Sequence, residues 1–471
     1  MRVAEAMKFK FMSFSTDRAS TRFHRLLRLL VMPLALEGSS ALANVSTVMF
    51  QSNMVLQREK PVPVFGNASP GEEVTVTFRG QAKSTRADDN GKWQVKLDAM
   101  NAGGPFEMTV QGGNTLWFTN VMVGEVWLCA GQSNMGYSMK KIGGRNVANA
   151  ALANFPDIRI CTMARGQSGK WEAITPEVCL KSSATAYYFS TNLYAALGVP
   201  IGLIVSSSPG TSIRYWVDPE TIAADETLTG QKSAGKWYNE LVKPAIPYGI
   251  RGAIWYQGES DTDADPREYK SRFLSLIKNY RKNWNEGEFP FIYMQISSFD
   301  EKQVNAGVPS GWAQIRDVQT QALSVSNTAM AVSIDIGDSD YHPKDKWDAG
   351  KRLALPVLRL VYGLTNISEY SGPMLQSCEK KDGKVYLHFN HAYGGLVDKD
   401  NNDLFGFAVR GADNQWHWAK GAIQQDTVVL TCAAAKDPVE VRYAWADYPI
   451  ATPLYNGAGL PAVPFRVELT R

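Results

Sequence analysis

Five continuous apolar runs constrain this chain more than any other feature. They are Val-Trp-Leu-Cys-Ala at 126–130, Ile-Gly-Leu-Ile-Val at 201–205, Gly-Ala-Ile-Trp-Tyr at 252–256, Phe-Ile-Tyr-Met-Gln-Ile at 291–296 and Met-Ala-Val-Ser-Ile at 330–334. A strand with one wet face alternates apolar and polar residues; these runs do not, so they read as strands covered on both sides. Stretches of helical character lie between them, for example 269–284 and 312–324. Strands alternating with helices imply an α/β fold with a parallel sheet and right-handed crossovers. In such sheets, function gathers beyond the carboxyl ends of the strands.

The flanks have a different texture. From 45 to 121 the pattern is β, with alternation at 61–65, 74–78 and 93–97. Turns at Ser69-Pro70-Gly71 and Asp88-Asp89-Asn90-Gly91 separate these segments. Pro61 and Pro63 suit an edge strand, since proline donates nothing to a ladder. Short strands with regular turns predict a small sandwich. After 363 the chain returns to β, at 385–389, 426–430 and 439–443. With 471 residues, too many for one core, the chain divides into an N-terminal leader (1–43), a β-sandwich-like region (44–122), an α/β domain (123–364) and a C-terminal β region (365–471) that packs on it.

The leader reads as a secretion signal. Arg22, Arg25 and Arg28 precede an apolar run at 29–36, and Ala41-Leu42-Ala43 suits cleavage before Asn44. That run is too short to span a bilayer, so a secreted or periplasmic protein with no membrane span is expected. A disordered tail is the other reading. The net charge of +3, without a basic stripe, argues against nucleic acid. Thirteen tryptophans suit sugar platforms as well as cores. Five cysteines leave at least one thiol free, with Cys161–Cys179 and Cys378–Cys432 as open pairings. No CxxC or zinc spacing occurs, which argues against a structural metal; no cofactor is expected. The acidic turn at 398–403 lacks the glycine and distal glutamate of a calcium loop and reads as solvated.

Gln132-Ser133-Asn134 follows the first buried run directly, where an α/β enzyme displays a nucleophile. Gly131 lets the backbone bend there. Local sequence leaves Ser133 two roles, nucleophile or helix N-cap. The histidines favour the first. Of five, His24 lies in the leader and His388, His391 and His417 in the C-terminal β region. Only His342 belongs to the α/β segment, after its last apolar run. Asp335, Asp338, Asp340 and Asp345 lie near it and should raise its pKa. An oxyanion needs preorganised donors. The Ser133 N–H, Gly210 and the Gln257 amide all fall just past strand ends. Gln132, Arg214 and Glu259 are candidate substrate contacts, and Trp216 is open to either a sugar or a structural role.

Several blocks carry a family resemblance. They are Met54-Val-Leu-Gln57, the run Gly124-Glu-Val-Trp-Leu-Cys-Ala-Gly-Gln-Ser-Asn-Met135, Trp255-Tyr-Gln-Gly-Glu-Ser-Asp261, His342-Pro343, Val441-Arg-Tyr-Ala-Trp445, Leu454-Tyr-Asn-Gly457 and Gly459-Leu-Pro461. Across 45–465 the chain resembles the sialate O-acetylesterase-like family of the SGNH (GDSL-type) hydrolases. The resemblance implies a flavodoxin-like α/β/α domain, a metal-free serine mechanism and an acetylated sugar or glycan as substrate. It implies Ser133 and His342 as catalytic pair and Ser133, Gly210 and Gln257 as oxyanion hole. Two positions depart from it. Ser339 stands where the superfamily has its aspartate, so Asp340 takes that role in our reading, with Asp338 or a backbone carbonyl as alternatives. Pro209 replaces a glycine and has no N–H. The expected function is acetyl-ester hydrolysis on sialate, with acetylxylan or pectin-type substrates as the alternative. A non-catalytic carbohydrate-binding protein is the reading from another class.

Overall fold

The strand expected at 126–130 is much longer than its apolar run. In the computed structural model, which describes residues 44–166, 169–400 and 404–469, this strand (β1) spans Thr115–Gly131. Its burial alternates up to Asn120 and is complete from Val121 onward. The first half pairs antiparallel with Gly103–Gln111 in the N-terminal β region. Its middle pairs parallel with Val55–Gln57, and its end lies at the centre of the parallel sheet. The border expected between 122 and 123 therefore falls inside one continuous strand. The proposed secretion signal and residues 401–403 of the acidic turn lie outside the described residues.

The parallel sheet adds β2 (Phe155–Thr162), β3 (Trp171–Ile174), β4 (Ile201–Ser207), β5 (Gly252–Tyr256), β6 (Phe291–Met294) and β7 (Thr328–Ala331). Their order is β7-β6-β5-β1-β4-β2-β3, and only β3 runs antiparallel to its neighbour. The order reverses at β1, which has β4 on one side and β5 on the other. Such a switch point opens a crevice at the strand's carboxyl end.

Both faces of the sheet are covered, as the unbroken apolar runs require. Trp127, Cys129, Ile254 and Tyr256 pack with α2 (Ala184–Leu197) and α5 (Lys346–Pro356). Val126, Leu128, Ala130, Ala253 and Trp255 face the opposite core with α3 (Pro266–Trp284) and α4 (Gly311–Gln321). Asp265 and Ser310 cap α3 and α4 by accepting N–H bonds in the first turn.

Glu125, wholly buried in β1, joins the N-terminal region to the sheet. Burial alone would raise its pKa, but Arg251 at 2.8 Å and Arg58 at 2.5 Å hold it below the usual range. The C-terminal region is a seven-stranded antiparallel sheet running from Met374–Lys381 to Phe465–Glu468. Arg316 on α4 fastens this region to the α/β domain. Its guanidinium donates to the carbonyls of Ile296 and Ser297 on one side and Ala446 and Asp447 on the other. Burial lowers its pKa to about 9. The five cysteines are free thiols, so neither open pairing forms. Cys161 instead contacts the carbonyl of Gly169, and Cys432 that of Trp418. No described helix is long and apolar enough to cross a membrane.

Candidate active site

The turn after β1 is built by glycine. Gly131 has φ +144°, and a Cβ there would sit 2.1 Å from the carbonyl oxygen of Tyr256 on β5. No other residue fits so close a backbone approach. The Gln132 N–H then donates to that same carbonyl at 3.0 Å. Gln132 takes the cap position, and Ser133 opens the one-turn helix α1 (Ser133–Gly136). The Ser133 hydroxyl is thus not a cap. It lies 3.0 Å from His342 Nε2. Thr185 and Ser183, at the start of α2, bond the carbonyls of Asn134 and Met135 and hold α1 in place.

His342 lies in the loop between β7 and α5. Its Nδ1 is 3.1 Å from Asp340 Oδ1, which also accepts the His342 backbone N–H. Asp338 does not reach the ring; it accepts the Asp340 N–H at 2.7 Å and shapes the turn. Ser133, His342 and Asp340 therefore form one hydrogen-bonded line. The pKa of His342 runs against the expectation. Burial lowers it, and this outweighs the hydrogen bond and charge of Asp340, while Lys346 and Lys141 lower it further. Asp340 itself is more than half exposed, so water screens its charge. A histidine of lowered pKa is neutral at pH 7, the state a general base requires.

The remaining expected site residues separate by burial. The Ser133 N–H makes no hydrogen bond among the described residues and stays available. Gly210, at φ +64° and exposed, lies just past β4, whose Ser207 pairs with Gly131. Gln257 is different. It is wholly buried, and its amide donates to the Thr211 carbonyl at 3.1 Å and Asp261 Oδ2 at 2.5 Å, with Gln132 Oε1 at 3.3 Å. Its N–H groups are committed to the scaffold rather than offered to an oxyanion. Gln132 and Glu259 are likewise buried and not open to a sugar. Gln132 Oε1 receives the Gln257 amide and the Ser260 N–H, tying two strand-end turns together. Trp216 is buried, its indole donating to Thr211 Oγ1. Arg214 bonds Gln231 and the Tyr215 hydroxyl and stacks over the Tyr215 ring.

Beneath the pair lies a buried network that the sequence did not announce. Asn134 donates to Glu259 Oε1 at 2.6 Å and to the Tyr341 carbonyl at 2.9 Å. It accepts from Lys346 Nζ at 2.6 Å. Burial pushes the Glu259 pKa up and pulls Lys346 down to about 7, against the attraction between them. Asn134 stood next to Ser133 in a recognised block, which was its one signal. Lys346 had none: between Asp345 and Asp348 it reads as a surface lysine. Among the described residues no group of three or more His, Cys, Asp or Glu is placed to hold a metal.

Comparison with known proteins agrees with this architecture. A family model described as carbohydrate esterase, sialic acid-specific acetylesterase, matches residues 123–357. The crystal structure of a carbohydrate acetylesterase from Xanthomonas citri superposes with a TM-score of 0.83 at 32% identity, covering 90% of this chain and 99% of that one. Fold and sequence together define a carbohydrate esterase. Human sialate O-acetylesterase is 30% identical, over 94% of this chain and 96% of its own length, and the orangutan (Pongo abelii) enzyme is 29% identical with the same coverage. The chain belongs to the sialate O-acetylesterase family.

Proposed function

We propose that this chain is a secreted sialate O-acetylesterase of SGNH type, acting through an acyl-enzyme on Ser133. The observation that carries this is the 3.0 Å contact of Ser133 Oγ with His342 Nε2, at the switch point of the sheet, with Asp340 on the other ring nitrogen. His342 takes the Ser133 proton as Oγ attacks the acetyl carbonyl. The Ser133 and Gly210 N–H groups receive the oxyanion. The tetrahedral intermediate collapses, and the sugar hydroxyl leaves with the proton from His342. A water then gives its proton to His342 and its oxygen to the acetyl carbon, releasing acetate and restoring Ser133.

Sialate is favoured over neutral acetylated xylan by Lys141. It is exposed, has no carboxylate partner among the described residues, and lies 5.5 Å from the Tyr137 ring, which in turn packs 4.5 Å from that of His342. A sugar carboxylate would meet a cation there. Secretion rests on the basic-apolar-small pattern of the leader. Acetate release from O-acetyl sialic acid, acetylated xylo-oligosaccharide and an aryl acetate tests the reading. Ser133→Ala should lose on the order of 10⁶ in kcat on all of them. Retained activity in that variant would sink the mechanism, and preference for the xylo-oligosaccharide would replace the substrate.

A further inference from the structure

Next to the catalytic line stands an aromatic stack with one open end. The Tyr341 ring lies on Phe299 with centroids 3.7 Å apart and planes 18° apart. Phe299 lies in turn on Trp312, at 5.1 Å and 28°. Phe299 and Trp312 are largely covered, while Tyr341 is 50% exposed. Its neighbour in sequence is His342, whose ring centroid is 6.4 Å away.

Every layer of the stack is fixed from behind. The Tyr341 carbonyl accepts from Asn134. The Phe299 N–H donates to Asp447 of the C-terminal β region. Trp312 rides on α4, whose capping residue Ser310 donates to Asp447 Oδ1 at 2.5 Å, and Arg316 lies 5.9 Å from the Trp312 ring. Here two rings and a second region of the chain hold a third ring still while leaving half of it wet. Such an immobilised aromatic surface gains contact energy at little cost in conformational entropy.

We propose that Tyr341 is a pyranose platform: its outer face stacks on the ring of the sugar whose acetyl group is at Ser133. It is a specificity-determining residue that binds the leaving sugar and takes no part in bond making. The inference rests on the carbohydrate-esterase reading above and adds the residue that reads the sugar ring.

The test is a comparison of substrates. Wild type, Tyr341→Ala and Tyr341→Trp are assayed on O-acetyl sialic acid, acetylated xylo-oligosaccharide and ethyl acetate, whose small leaving group has no ring to stack. Tyr341→Ala should lose about tenfold in kcat/KM on both sugars, carried by KM, with a far smaller change on ethyl acetate. Tyr341→Trp should restore sugar turnover, since the larger ring stacks as well. Equal losses on sugars and ethyl acetate would overturn the proposal, because they would mean that the ring only supports the His342 loop. Wild-type sugar turnover in Tyr341→Ala would overturn it as well. If wild type released acetate from ethyl acetate but from no sugar, the carbohydrate reading would fall and the platform with it; the wild-type arm separates that outcome from the others.

Discussion

The two sides of the candidate active site are built by opposite means. The Ser133 turn is a backbone construction: Gly131 against the Tyr256 carbonyl, the Gln132 N–H on that same oxygen, and α1 pinned by Ser183 and Thr185. The His342 loop is a side-chain construction at the surface. It hangs on Asp340, on the Asn134 bond to the Tyr341 carbonyl and on Lys346 behind it. A position fixed by strand geometry is hard to move without damaging the fold. A position fixed by side chains is adjustable, and its perturbation should appear in rate and pH profile before it appears in stability.

The sharpest contrast comes from removing each side in turn. His342→Ala should lower kcat by about 10⁴-fold or more while leaving Tm within a few degrees of wild type, because the loop is partly exposed. A large fall in Tm would mean that the His342 loop is as structural as the Ser133 turn. Gly131→Ala should behave oppositely, losing at least about 3 kcal/mol of stability from the backbone clash and the strained φ. Denaturant titration reads this, and a loss below about 1 kcal/mol would contradict the close approach.

Asn134 belongs to both sides and should show both effects. Asn134→Leu strands the buried Glu259 and Lys346, costing about 2–3 kcal/mol, and frees the Tyr341 carbonyl, lowering kcat about tenfold or more. Asp340→Asn tests the exposed side alone. It should cost about ten- to a hundredfold in kcat with unchanged stability, less than a buried triad carboxylate, because solvent screens the charge. The smallest effect is expected from Lys346→Met. His342 protonates on the acid limb, at a pH below its ordinary 6.5. Lys346, with its pKa at about 7, is charged there and opposes that protonation. Removing it should move the acid limb of kcat/KM to higher pH by a few tenths of a unit. A shift to lower pH would reverse the assigned sign.

What the sequence made legible follows the same division. Continuous apolar runs announce strands buried on both faces, and a glycine-serine step after the first of them announces the turn. The proximity of Ser133 to His342 is therefore legible, and Asp340 is the preferred partner for the ring. The roles of Gln257, Gln132 and Glu259 are not. A strand-end position says that a residue is near the crevice but not which way its side chain turns. Gly258, at φ +149°, helps carry this turn inward. Lys346 was invisible because its burial depends on a partner 212 residues away. The depressed pKa of His342 was missed for a related reason: charges can be counted in a sequence, whereas desolvation depends on packing.

The seventeen residues of β1 carry a further consequence. A chain beginning at 123 would start in the middle of a hydrogen-bonded ladder, with Val55–Gln57 gone from beside it and the Tyr248 hydroxyl without the Val55 carbonyl that it bonds at 2.8 Å. The N-terminal β region is therefore not a detachable module that recombination can shuffle. It and the α/β domain share a strand, and they should melt in a single cooperative transition.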